Sequence, residues 1–248
     1  MFQLQDLQSD YRDCLVLVFG TKDQPKYILF DGGPHGVFDD HLNPVLQEIA
    51  ASGGELHRVI LSHVDEDHVV GLIDLVEELQ WRQSRNRPEL IKVDGLWHNA
   101  FELAVGEDDS RTLSERMETD SSLSAFDQWL ESLARSIRQG DQLNRGAQTL
   151  GIPINADFVP DHLVCAESSP EPITFDNLTI HVLGPTQKNL DKLQKEWLKW
   201  LKKQQKEADP RSAAEAERDA KNLDTSYRNL SSIMFLAESD GRSILFTG

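Results

Sequence analysis

An α/β layered domain is the fold class this sequence predicts, and three observations predict it. Strand-like apolar runs alternate with helix-periodic segments through the first part of the chain. A charged hexapeptide, His63-Val64-Asp65-Glu66-Asp67-His68, stands where one such strand gives way to a helix. Near Gly248, two apolar runs flank Asp240-Gly241, a dipeptide suited to a tight hairpin turn.

Taken in order, Cys14-Leu15-Val16-Leu17-Val18-Phe19 is a continuous apolar run, as in a buried strand. Tyr27-Ile28-Leu29-Phe30 follows across a polar turn, which predicts a hairpin. Asp31-Gly32-Gly33-Pro34 ends that strand with residues suited to tight backbone geometry. Leu42, Val45, Leu46 and Ile49 fall at helical spacing before Gly53-Gly54. Val59 to Leu61 reads as a strand leading into the hexapeptide. A helix then runs on Val69, Leu72, Ile73, Val76 and Leu79, and Ile91 to Leu96 reads as a short strand. The order is therefore β-β-α-β-α-β.

Two stretches read as helical insertions, at about 103–150 and 187–227. The first carries apolar residues at Leu123, Phe126, Leu130, Leu133 and Ile137. The second places Leu190, Leu193, Trp197 and Leu201 on one face with lysines elsewhere, the pattern of a solvated helix packed by one stripe. The chain closes on the runs Ser231 to Ala237 and Ser243 to Gly248.

Bulk properties narrow the functional classes. The 248 residues suffice for a substantial core, and an apolar fraction of 39% with 27% charged residues is a globular composition. The apolar runs are short of a membrane span, and the N-terminus lacks a signal-peptide pattern. Cys14 and Cys165 have no neighbour at metal-ligand spacing and are expected to be reduced, so the expected location is cytoplasmic, with no membrane partner. With 25 Lys+Arg against 42 Asp+Glu, the net charge of −17 weighs mildly against a polyanionic partner. The charge is uneven, however: lysines cluster from Lys188 to Lys206 and acids from Glu102 to Glu131.

The hexapeptide is where the chemistry concentrates. In an extended loop His63 and Asp65 point the same way and can grip one cation. Asp67 and His68, at the start of the following helix, can turn toward a second. Two such cations can activate a water and stabilise charge on a phosphoryl or carbonyl oxygen. Zn²⁺ is expected, and because two carboxylates make the donor set harder than an all-histidine one, Mn²⁺ is the alternative. The same acids would also suit the positive end of a helix dipole, with Asp67 as its cap.

The pattern H-x-D-x-D-H resembles the signature loop of the metallo-β-lactamase superfamily, with Asp65 where most members carry a second histidine. Other segments match in order: Asp13 to Leu17, Ile28-Leu29-Phe30-Asp31-Gly32-Gly33, His181-Val182-Leu183-Gly184-Pro185, and Asn229-Leu230-Ser231-Ser232-Ile233 with Ile244 to Gly248. Within the superfamily the loop is closest to the nuclease-like domains of bacterial DNA-uptake competence proteins. The resemblance implies an αββα sandwich, with His63, Asp65, Asp67 and His68 as ligands of two divalent ions and Asp67 also as proton acceptor. It implies that Asp31 supports the loop, and it makes Asn229 and Ser231 candidate site residues. Two departures stand out. The sequence stops at Gly248, where the family places a metal-bridging aspartate, so a fragment of a longer protein is expected, or a partner subunit that completes the site. There is also no P-G-H-T segment. His98 and His181 are the histidines available instead; His181 falls in a strand pattern, whereas His98 follows a strand and could reach the cleft.

These readings lead to one expectation of function. It is a metal-dependent hydrolase acting on phosphodiesters, nucleic acid among them, through a hydroxide activated by two metals. A hydrolase of small acyl or thioester substrates and a non-catalytic scaffold retaining the fold are the alternatives.

Overall fold

The computed structural model describes residues 1–7, 13–99, 126–160, 162–192, 195 and 231–247. Residues 103–125 of the first expected insertion and most of the second lie outside this set, including Leu123, Leu193, Trp197 and Leu201, as does Asn229. The first sheet has the order β1 (Gln3–Asp6), β2 (Leu15–Gly20), β3 (Pro25–Phe30), β4 (Leu56–Ile60), β5 (Leu96–Trp97). Its first three strands pair antiparallel, and β3, β4 and β5 run parallel. The parallel pairings require crossovers, supplied by α1 (Asn43–Ala51) between β3 and β4 and by α2 (Glu66–Ser84) between β4 and β5. A π-helical turn, Phe38–Leu42, leads into α1. The second sheet is antiparallel, in the order β6 (Ile173–Phe175), β7 (Leu178–Gly184), β8 (Met234–Ser239), β9 (Arg242–Phe246).

The continuous apolar run of β2 follows from burial on both faces. Val16 and Val18 point to a core beneath the helices, whereas Leu17 and Phe19 point to a core between the two sheets. The inter-sheet core also takes Ile28, Phe30, Ile60 and Trp97 from the first sheet and Phe235, Ala237 and Phe246 from the second. Phe235 and Phe246 stack at 4.5 Å, and Phe30 meets Phe246 at 5.0 Å, so aromatic contact joins the sheets. The described residues thus form three layers: helices, first sheet, second sheet.

Both predicted hairpins form. The β8–β9 turn has positive φ at Asp240 (51°) and Gly241 (72°), the backbone that a two-residue hairpin loop needs. Three features differ from the sequence expectation. Strand β1 was not anticipated, because its four residues are polar or exposed and it is held by pairing with β2 alone. The strand expected over Ile91 to Leu96 contracts to Leu96–Trp97, with a single bridge from Val93 to Leu56 upstream. The first expected insertion contains α3 (Phe126–Leu150), whose C-terminal half belongs to the helical layer. Its Leu143 and Ala147 are buried in the core of α2, and a Cβ on Gly146 would fall 2.2 Å from Val76 Cγ1. Small residues make that contact, so apolar periodicity underplays it.

Candidate functional site

The hexapeptide begins just beyond the C-terminal end of β4 and forms the first turn of α2. Asp65 occupies the N-cap position with extended φ and ψ, and its carbonyl accepts from the N–H groups of His68 and Val69, each at 2.9 Å. Its side chain makes no capping bond, and Asp67 lies inside the helix rather than at its cap. The capping reading of these acids therefore does not explain their placement.

Asp31 organises the loop from beneath. It follows β3 in the left-handed region (φ 57°) and is fully buried. One carboxylate oxygen accepts from Ser62 N at 2.7 Å; the other lies 2.7 Å from Ser62 Oγ and 2.8 Å from His68 Nδ1. A buried carboxylate needs this many donors to be tolerated. With Nδ1 donating to Asp31, Nε2 of His68 is left with its lone pair. Burial works against a charged imidazole, yet the hydrogen bond and charge of Asp31, with Asp67 and Asp13, raise the His68 pKa. Surroundings that favour a proton there favour any cation.

His63 is set the same way. Ser62 Oγ gives its proton to Asp31 and so accepts from His63 Nδ1 at 3.0 Å, with Ser232 Oγ at 3.4 Å on the same nitrogen. His63 Nε2 then lies 3.5 Å from Asp65 Oδ2, and His68 Nε2 lies 3.5 Å from Asp67 Oδ2. Two ligand atoms about 2.1 Å from a tetrahedral ion are roughly 3.4 Å apart, so both pairs have the bite of a chelating set. The two rings are 4.2 Å apart between centroids, which brings the pairs together. The donor types, and the spacing within each pair, suit a divalent cation, but the hexapeptide's donors meet in pairs and not as a group of three.

Backbone contact fixes the height of α2 over this network. Gly32 N donates to His68 O at 2.8 Å and Gly71 N to Gly33 O at 3.1 Å. A Cβ on Gly71 would fall 2.0 Å from Gly32 O, and one on Gly32 would fall 2.4 Å from Leu72 N. Gly71 was missed by sequence reasoning, where it is only a glycine within a helical pattern. Ser232 was missed too, although the adjoining Ser231 was singled out. At the rim, Glu66 pairs with Arg135 of α3 at 2.8 Å and with His35 at 3.6 Å.

His98 is buried beside the loop: a Cβ on Gly140 would lie 3.5 Å from its Nε2 and 3.6 Å from Val64. Neither ring nitrogen has a hydrogen-bond partner among the described residues, and burial pushes its pKa down to about 4, so the ring is neutral. Its backbone is clamped by the buried Asn155, which accepts from His98 N at 2.9 Å and donates to His98 O at 2.8 Å. His181 is half-exposed on β7 and pairs with Glu238 at 3.0 Å, away from the loop. Among the described residues, the group of three ligand-type atoms lying within 4.8 Å of one another comes from Glu55, His57 and Asp94, at the other end of β4.

The model of the metallo-beta-lactamase superfamily matches residues 12–138, just over half of the chain. The chain belongs to that superfamily. Its members are mostly metal-dependent hydrolases and bind divalent metals, and this chain carries a candidate ligand group in Glu55, His57 and Asp94. No curated protein matches this superfamily member. Among the described residues, no helix is long and apolar enough to cross a membrane.

Proposed function

We propose that this superfamily member is a phosphodiesterase of the nuclease-like, competence-protein type that works with two divalent cations, Zn²⁺ or Mn²⁺. His63 and Asp65 would hold one cation and Asp67 and His68 the other. The observation that carries the reading is the pair of 3.5 Å imidazole–carboxylate bites, both with Nδ1 tied back so that Nε2 faces its carboxylate.

Bound there, the cations would supply a water of lowered pKa and positive charge for the phosphoryl oxygens. The chain's residues do the rest. Asp67 takes the proton released by the attacking water. Asp31 keeps His68 in one tautomer, and Ser62 with Ser232 does the same for His63. The phosphodiester assignment over an acyl or thioester substrate rests on Asp65, which adds a second anionic donor and suits harder cations.

The test sets a phosphodiester reporter against a thioester reporter on one preparation supplied with Zn²⁺ or Mn²⁺. Metal-dependent turnover of the phosphodiester, abolished by Asp67→Ala, is the expected result. Preference for the thioester would reassign the substrate. Turnover untouched by Asp67→Ala would remove the role given to that carboxylate, and absence of bound metal after gentle purification would favour a scaffold.

A further inference from the structure

We infer that Glu55, His57 and Asp94 form a second, structural site for a divalent cation of the zinc class, separate from the hexapeptide. His57 and His63 are six residues apart along β4 and its extension, which places the two sites about 20 Å apart. The group unites an imidazole with two carboxylates, a donor set suited to Zn²⁺ or Mn²⁺.

The imidazole is held in place in advance. Its ring stands edge-on to Phe175 at 4.9 Å and to Phe19 at 6.1 Å. Its Nδ1 is shielded from solvent and faces Asp94 Oδ2 at 3.2 Å. A nitrogen and a carboxylate oxygen at that spacing, with Glu55 within 4.8 Å of both, have the arrangement of ligands around one ion. Burial, then the charges of Arg58 and Lys26, lower the His57 pKa against the pull of Asp94, so the ring offers a lone pair at neutral pH.

A cation already sits among these groups. Lys92 Nζ lies 2.8 Å from Glu55 Oε2 and 2.5 Å from Asp94 Oδ1. Its side chain is 60% exposed, and such an ion pair contributes little. A divalent cation would displace the ammonium, taking its place between the two carboxylates and beside the imidazole. The site would staple two segments that the sheet joins weakly. Leu56 N donates to Lys92 O and Asp94 N to Leu56 O, each at 2.9 Å, and only a single bridge connects the chains there before the two-residue β5.

Equilibrium dialysis of the full chain against Zn²⁺ tests this. Glu55→Gln with Asp94→Asn, changes of equal size at the surface, should bind one zinc fewer than the wild type. His63→Ala should leave that zinc in place. Lys92→Ala, which removes the competing ammonium, should tighten it several-fold. Zinc should raise the melting temperature through this site in the wild type and lose that increment in the double variant. Equal zinc content in wild type and double variant, or an affinity indifferent to Lys92→Ala, would overturn the inference. Failure of the hexapeptide reading would show differently, as a zinc count insensitive to His63→Ala.

Discussion

Replacing Asp31 by Asn keeps the size of the side chain and removes one acceptor and the charge. The wild-type carboxylate meets Ser62 N, Ser62 Oγ and His68 Nδ1 at 2.7, 2.7 and 2.8 Å. An amide has one oxygen, so one orientation sets its NH₂ against Ser62 N–H, a donor facing a donor. The other sets NH₂ against Ser62 Oγ and His68 Nδ1; the hydroxyl can rotate to accept, but the imidazole must then move its proton to Nε2. Hydrogen bonds to a charged group contribute about 1.5–3 kcal/mol each, and neutral replacements recover about 1 kcal/mol. A net loss of about 2–3 kcal/mol is expected, or roughly 5–10 °C in melting temperature for a chain of this length. The tautomer change also turns a ligand nitrogen into a donor, and changes of this kind cost about 10–100-fold in metal affinity. Calorimetry of the metal-free chain and zinc competition against a chelator measure the two effects separately. Unchanged zinc affinity in a folded Asp31→Asn variant would refute the view that Asp31 sets the tautomer of His68.

Three further outcomes follow from the same geometry. Gly71→Ala places a methyl 2.0 Å from the Gly32 carbonyl, backbone against helix, and should cost about 1–3 kcal/mol in urea denaturation; an unaltered midpoint would mean that α2 lifts freely. Asp157 is desolvated, but the paired Arg58 guanidinium at 2.8 Å and Trp97 Nε1 at 2.8 Å hold its carboxyl below the usual range. A lowered folded pKa stabilises the fold above the unfolded value near about 3.9 and loses that stability as pH falls through the folded value. The stability gap between wild type and Asp157→Asn should therefore be full at pH 7 and shrink in acid below the ordinary carboxylate range; a gap independent of pH would contradict it. Burial, then Asp31 and Asp6, push the Cys14 thiol up to about 12, and Cys165 is buried as well. Both should resist a thiol reagent at pH 8 until denaturant is added, and rapid labelling of the native chain would show an open core.

What the sequence disclosed depended on whether an element is held by local chemistry or by distant neighbours. The β2–β3 and β8–β9 hairpins were legible because apolar runs and turn residues specify them within a few positions. Strand β1 was not, since Gln3–Asp6 has no buried face and exists by pairing to β2. The inner face of α3 was hidden because Gly140, Gly146 and Ala147 form its contacts: the glycines read as weak helix formers and the alanine as a good one, and residues this small do not read as core. At the site, the ligand-type residues of the hexapeptide stand out by type and spacing alone. The roles of Gly71, Ser232 and Asn155 could not be read, because each is a common residue whose importance comes from a partner far along the chain.

The two imidazoles are not oriented independently, and that bears on what the hexapeptide is for. Ser62 Oγ stands between Asp31 and His63, so its proton goes to the carboxylate and its lone pair to the ring. Asp31 meanwhile takes the proton of His68 Nδ1. One buried charge thus fixes both rings with Nε2 bare, and both bare nitrogens face carboxylate oxygens at 3.5 Å. Acceptors facing acceptors at that distance repel unless a cation stands between them. A proton on Nε2 closes one such gap by making the ring an imidazolium, and a divalent ion closes it in the same place; both leave the donor chain beneath intact. The arrangement below the loop is therefore an argument for a cation at these nitrogens, and a stronger one than the spacing of His63, Asp65, Asp67 and His68 by itself.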